Sequence, residues 1–403
     1  MTDMLTPPNA FPAVAPAPIS VPAAEPNAPA FAHESERAWR PPAIHSLLAQ
    51  LIEFGGSDLH LTVGIRPRGR IHGELIDLEG TTVMTRDVLF GFIQEAFPAA
   101  TYDKWVKEFD FDTAYEMDTK AGAVLSSRFR VNLFMEGGEP AAVFRVIPVE
   151  IRTMEDLNLK DSIQQLIKNT PRGLILVTGV TGSGKSTTLA GMMDWININR
   201  AVRILTFEDP IEFVHKSKRG TISQREIAID TKDWRSGLKA VLRQDPDVIL
   251  IGELRDPETI EMAIAAADTG HLVFGTLHTG TAADTVDRIV GEFPGNQQER
   301  IQSRLSTVLA GVVCQQLVPG IKGGRVVATE IMIMTDAIRA NIRKGDLGGI
   351  GHAMADTSHG SISFDAHLAE LVATGFITRR NAIQRAVNRK EFEKLVPAES
   401  TMY

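Results

Sequence analysis

The stretch "GLILVTGVTGSGKSTTLAGMMDWIN", residues 173–197, constrains the fold more than any other. It reads as an apolar strand, a glycine-rich loop and a helix. Within it, Gly179–Ser186 match the spacing G-x-x-x-x-G-K-[ST] at every position. Gly179, Gly182 and Gly184, with Thr181 and Ser183 between them, let successive backbone N–H groups converge on one anion. The helix that follows adds the positive end of its dipole. Lys185 is the side chain expected to reach β- and γ-phosphates, Ser186 the hydroxyl expected to ligate Mg²⁺, and Thr187 follows in the same turn. An ordinary glycine-rich turn needs neither the lysine nor the correct flanks.

Strands and helices alternate after this loop. "RILTF", "DVILIGE" and "HLVFGTLH" are apolar strands; "WRSGLKAVLRQ" and "PETIEMAIAAADTG" have helical spacing. The alternation predicts an α/β fold with a mainly parallel sheet covered by helices. In such sheets the ligand sits beyond the carboxyl ends of the strands, so acids there are candidates. "RILTFEDP" ends on Glu208 and Asp209; "DVILIGELRD" ends on Gly252 and Glu253, with Arg255 and Asp256 beyond. Gly252 stands where a Mg²⁺-binding aspartate is usual, so Glu253 is the candidate to polarise an attacking water. Glu208 and Asp209 are candidates for the metal's outer shell or for a second contact to that water. Solvation at the start of a loop is the plain alternative for each.

Composition excludes several classes. The net charge of −8 argues against a general nucleic-acid binder. A single cysteine, Cys314, rules out a disulfide within the chain and a cysteine-rich zinc site, and suits a reducing compartment. No run of apolar residues is long enough for a membrane span, and the N-terminus lacks a secretory pattern, so a cytoplasmic protein is expected. Residues 1–42 are rich in Pro and Ala and are expected to form a disordered arm. Residues 43–147 alternate helix, strand and hairpin patterns and read as a small α+β domain; 148–170 follow as a linker containing one helix.

Four stretches in order, "GVTGSGKST", "TFEDPIEF", "DPDVILIGELRD" and "TGHLVFGTLHT", resemble the Walker A, Asp box, atypical Walker B and His box of the type II secretion/type IV pilus ATPase superfamily. Within it the chain is most similar to the type IV pilus retraction ATPases of twitching motility, the PilT/PilU group. "SDLHLTVGIRPRGRIHGEL" and "SRFRVNLF" resemble that group's PAS-like N-terminal domain. The resemblance implies a RecA-like ATPase core over 171–345 and a helical C-terminal region over 346–403. It also implies ATP and Mg²⁺ as cofactors, a homohexamer, and a platform protein at the inner membrane as partner, with a paralogous ATPase as a further one. Residence would be cytoplasmic and peripheral to that membrane. The resemblance further implies arginines acting across subunits, mapped onto Arg130 and Arg145, with Arg128 beside them. Surface ion pairs on an alternating strand are the other reading of these arginines.

Two departures qualify the resemblance. Assembly ATPases of the superfamily usually carry a tetracysteine zinc insertion, which one cysteine cannot supply; no zinc is expected, and retraction is favoured over extension. The retraction group's helical signature A-I-R-N-L-I-R-E reads "AIRANIRK" here, Ala337–Lys344. Met334, Ile338 and Ile342 still form one apolar stripe. An accessory or regulatory ring subunit, or a secretion or conjugation assembly ATPase, is the competing function.

His271 and His278 bracket the strand "LVFGTL" seven residues apart. An odd spacing sets them on opposite faces of a strand, which makes a shared metal a weak reading. The phosphate loop favours another. His278, at the carboxyl end, is the candidate sensor of the γ-phosphate. His271, at the start, is expected to act through an interface.

Overall fold

The computed structural model describes residues 43–71, 73–117, 127–147 and 150–397. The arm expected over 1–42 lies outside the described residues.

The first part of the chain runs α1 (Ile44–Glu53), β1 (Gly56–Thr62), β2 (Arg68–Ile71), β3 (Glu74–Asp77), α2 (Arg86–Ala96), α3 (Ala99–Glu108), β4 (Asp110–Met117), β5 (Ser127–Glu136) and β6 (Glu139–Ile147). Its six strands pair antiparallel in the order β3-β2-β1-β6-β5-β4. Strand period two decides the faces. Phe129, Val131 and Leu133 of β5 are buried, with Leu59, Leu61 and Phe144, beneath Leu48, Leu51, Ile93 and Trp105 of the helices. The alternate residues Arg128, Arg130 and Asn132 therefore stand on the opposite face. There Arg130 lies beside Arg145 in register, and Arg145 beside Asp58.

After α4 (Asp161–Asn169) comes a larger unit: β7 (Gly173–Thr178), α5 (Lys185–Asn199), β8 (Arg203–Glu208), β9 (Thr221–Glu226), α6 (Trp234–Val241), β10 (Val248–Ile251), α7 (Pro257–Asp268), β11 (Leu272–Leu277), α8 (Ala282–Gly291), α9 (Gly295–Val308), β12 (Leu309–Pro319) and β13 (Arg325–Ile333). The strand order is β13-β12-β7-β11-β10-β8-β9, parallel except for the β12–β13 pair. Every residue of β7, β10 and β11 is buried. That is why these strands read as unbroken apolar runs: helices cover both faces. This is the expected α/β, RecA-like core preceded by an α+β unit.

The end of the chain forms α10 (Asp336–Lys344), α11 (Leu347–Met354), α12 (Phe364–Ala373), α13 (Arg379–Ile383) and α14 (Arg389–Leu395). The "AIRANIRK" segment is α10. Thr335 caps it, Gly345 ends it in the left-handed region at φ 69°, and Ile338 and Ile342 are fully buried. Arg339 donates to Ser306 O and Thr307 O at the end of α9, supplying partners that the last carbonyls of a helix lack. A small core of Phe364, Leu368, Ile377 and Phe392 ties the last helices to Val318 and Ala328 of β12 and β13.

Candidate nucleotide site

The phosphate loop joins β7 to α5, as its sequence predicts. Gly179, Gly182 and Gly184 have φ values of 142°, 77° and 91°, all favouring glycine. At Gly179 a Cβ would meet Gln315 O at 2.3 Å and Ser183 Oγ at 2.6 Å, so no other residue fits. Gln315 Nε2 in turn donates to Ser183 O at 2.7 Å, pinning the loop to β12. Lys185 Nζ donates to Gly179 O at 2.7 Å and curls over the loop. Burial pushes its pKa down, opposed by the carboxylates of Glu253 and Glu212. Thr181 and Val180 are exposed at the loop tip; Ser186 and Thr187 are half-buried in the first turn of α5. Buried Ser183 Oγ has no hydrogen-bond partner among the described residues. This orphaned hydroxyl, the glycine cradle and the lysine fit a polyphosphate. Ser186 presents a hydroxyl oxygen, the hard donor type that Mg²⁺ takes, in the first turn of α5; among the described residues no group of three or more His, Cys, Asp or Glu gathers as a metal site.

β11 lies between β7 and β10 and delivers His278 to the gap between them. His278 Nδ1 is 3.5 Å from Lys185 Nζ, and its Nε2 is 3.3 Å from Glu253 Oε1. Arg255 takes the other Glu253 oxygen at 2.6 Å. Burial pushes the Glu253 carboxyl up, but Arg255, His278 and Lys185 outweigh it and hold the group below its ordinary value. Gly252 has a steric reason. A Cβ there would stand 3.1 Å from Phe207 O and 3.3 Å from Glu208 Cα, so any side chain would press on the backbone at the end of β8. Thr276, two residues before His278, donates to Gly252 O and locks β11 to this turn.

Glu208 ends β8. Its Oε1 accepts from Thr206 Oγ1 at 2.6 Å and from Gln224 Nε2 at 3.1 Å. Burial pushes its carboxyl up, partly offset by those two hydrogen bonds. Asp209 is exposed. Asp256 caps α7, accepting from Thr259 N at 2.9 Å, and so serves the helix rather than the nucleotide.

His271 does not join this group. Its Nδ1 lies 2.9 Å from Ala266 O and 3.1 Å from Thr269 Oγ1, at the carboxyl end of α7 and the far end of β11 from Lys185. The arginines divide. Arg128 pairs with Glu226 at 3.1 Å, and Arg130 comes within 4.0 Å of Glu212, both acids on this chain's own core. Arg145 donates to Asp58 at 2.7 Å with its side chain 67% exposed.

Sequence reasoning passed over Glu212, the acid that Lys185 feels alongside Glu253. Its signal was its place four residues after Glu208 in the same turn. It also passed over Gln224 on β9, which no apolar pattern announces.

The sequence profile described as "Type II/IV secretion system protein" matches residues 124–381. The chain belongs to that family. Among its relatives is the type IV pilus retraction ATPase PilT of Pseudomonas aeruginosa, 44% identical over 344 residues, which cover 85% of this chain and 98% of the relative. The type IV pilus ATPase PilU of the same organism is 35% identical over 87% of this chain and 90% of its own length. A crystal structure of the pilus retraction motor PilT with bound ADP superposes with a TM-score of 0.80 at 41% identity, covering 87% of this chain and 99% of that one. Like these relatives, this secretion-family chain is built as a P-loop ATPase. Among its described residues no helix is long and apolar enough to cross a membrane.

Proposed function

We propose that the chain is a motor ATPase that hydrolyses ATP in a homohexameric ring to drive type IV pilus retraction. The observation that carries this is the row Lys185–His278–Glu253, set at the carboxyl ends of three strands of one sheet. The similarity to PilT along nearly its whole length supplies the pilus context.

Lys185 and the loop N–H groups bind and orient the β- and γ-phosphates. Ser186 would hold Mg²⁺ directly and Glu208 through water; when bound, the ion neutralises charge developing on the phosphates. Glu253, kept ionised by Arg255 and His278, accepts a hydrogen bond from the attacking water and aims it at the γ-phosphate. A carboxylate with a depressed pKa is a weak base, so Glu253 works by orientation more than by holding the proton. His278, between lysine and glutamate, registers whether a γ-phosphate is present. Arg130, within its own subunit, and Arg145, across to a neighbouring one, place positive charge near the transferring group.

In this reading, residues 43–147, 171–345 and 346–403 act as sheet domain, ATPase core and helical cap. The ring engages a platform protein at the cytoplasmic face of the inner membrane. The altered "AIRANIRK" helix and the similarity to PilU favour one second reading, an accessory ATPase beside a main motor. Pilus dynamics in cells lacking the chain test both. Pili that assemble but do not retract support the motor; normal retraction overturns it.

A further inference from the structure

We infer that Glu226 is a positioning residue: one of its carboxylate oxygens joins Arg128 of the N-terminal sheet to the backbone of the 208–212 turn, so the sheet's placement sets that of the turn's acids. The inference rests on the ATPase reading and adds a route by which the N-terminal sheet and the site communicate.

Glu226 ends β9 and pairs in register with Glu208 at the end of β8. Its Oε2 accepts from Ile211 N and from Arg128 Nη2, each at 3.1 Å. Ile211 lies between Asp209 and Glu212, the acid beside Lys185. The side chains of Glu226 and Arg128 are only 5% and 18% exposed, so water cannot readily replace either contact. The backbone around Glu226 is held on both sides: its N donates to Asp230 Oδ2 at 2.8 Å, and Ile227 N donates to Glu208 O at 2.9 Å. Two residues earlier on the strand, Gln224 Nε2 donates both to Glu208 Oε1 and to Phe213 O. β9 thus grips the turn before and after Ile211, and Arg128 gives Glu226 its ion pair with the N-terminal sheet. The Nε of Arg128 is buried with no partner among the described residues, so the Glu226 contact fixes where this guanidinium sits. A buried ion pair is a poor net stabiliser, because desolvation cancels most of its attraction. One shared between two sheets is better explained by the orientation it imposes.

The test uses the full chain with Glu226→Gln, Arg128→Gln and the double variant. The glutamine keeps the size of Glu226 and an oxygen for Ile211 N–H, so the fold is retained. Each single variant is expected to lower kcat on the order of tenfold with KM for ATP within about twofold, and the double is expected to fall no further than the worse single. Losses that multiply in the double variant, or a change confined to KM, overturn the inference. Amide exchange without nucleotide tests the link independently of any hydrolysis. Arg128→Gln, on one sheet, should speed exchange of Ile211 and Phe213 on the other and leave β7 unchanged. Unaltered exchange at Ile211 overturns it as well, whatever the fate of the ATPase reading.

Discussion

His278 stands between Lys185 and Glu253, its two ring nitrogens 3.5 Å and 3.3 Å from them, while His271 is turned back onto the end of α7. The two histidines that flank β11 therefore have different surroundings, and different roles are expected of them. His278→Ala is expected to lower ATP hydrolysis on the order of a hundredfold, and His271→Ala only a few-fold. Steady-state kinetics of the two purified variants decides it; equal losses would remove the distinction.

In the proposed mechanism Glu253→Gln removes the charge assigned to aiming the water while keeping the side chain's volume. Hydrolysis should fall by about two to three orders of magnitude with nucleotide affinity retained. Single-turnover hydrolysis and binding of a fluorescent ATP analogue separate the two quantities. A variant that binds poorly but turns over normally would show that Glu253 is a binding group only.

Arg130 lies 3.8 Å from Asp112 of its own sheet and 4.0 Å from Glu212 of its own core, whereas Arg145, more exposed, is tied to Asp58 of its own sheet. Mixing variant subunits into wild-type rings distinguishes action within a subunit from action on a neighbour. Arg130→Ala is expected to reduce activity in proportion to the variant fraction. Arg145→Ala is expected to reduce it more steeply, as a group reaching a second subunit does. A proportional fall for Arg145→Ala counts against a role across the interface.

His215 supplies a pH signature of stability. Burial pushes its imidazole from 6.5 to about 4, with Asp194 opposing and Lys218 adding to the shift. Its buried Nδ1 has no partner among the described residues. The folded chain keeps the ring neutral while the unfolded chain takes up a proton below 6.5, so stability is complete above that value and is lost as pH falls toward 4. The loss attributable to His215 is about 2 kcal/mol between about pH 7 and about pH 5. Urea unfolding at the two pH values should show His215→Gln with the smaller pH dependence; an unchanged slope would assign the dependence to other groups.

Much of this site was legible in the sequence because phosphate chemistry demands particular residues at fixed spacing. Gly179–Ser186 could be placed residue by residue, and Glu253 and His278 followed from the ends of apolar strands. Helices α1 and α2 and strands β5 and β6 were readable from their periodicity. β9 was not: "TISQRE" is half polar because its side chains hold the 208–212 turn rather than a core, so period and hydropathy mislead. β4 and α3 were hidden by mixed charged and aromatic residues. β12 and β13 pair across 309–333, where burial is nearly continuous and short apolar runs do not separate strand from helix. The orientation of the arginines depends on how one sheet lies against another, which no local pattern records. Only folding shows that Arg145 prefers Asp58.

The order β7-β11-β10 also sets a length. Neighbouring strands lie about 4.8 Å apart, so the strand that feeds Lys185 and the strand that feeds Glu253 are separated by about 10 Å. With one strand interposed, His278 at its carboxyl end stands between the two, 3.5 Å from Lys185 Nζ and 3.3 Å from Glu253 Oε1. The strand order therefore decides which side chain separates the two charged groups: an imidazole, fed by the middle strand, lies between the ammonium and the carboxylate.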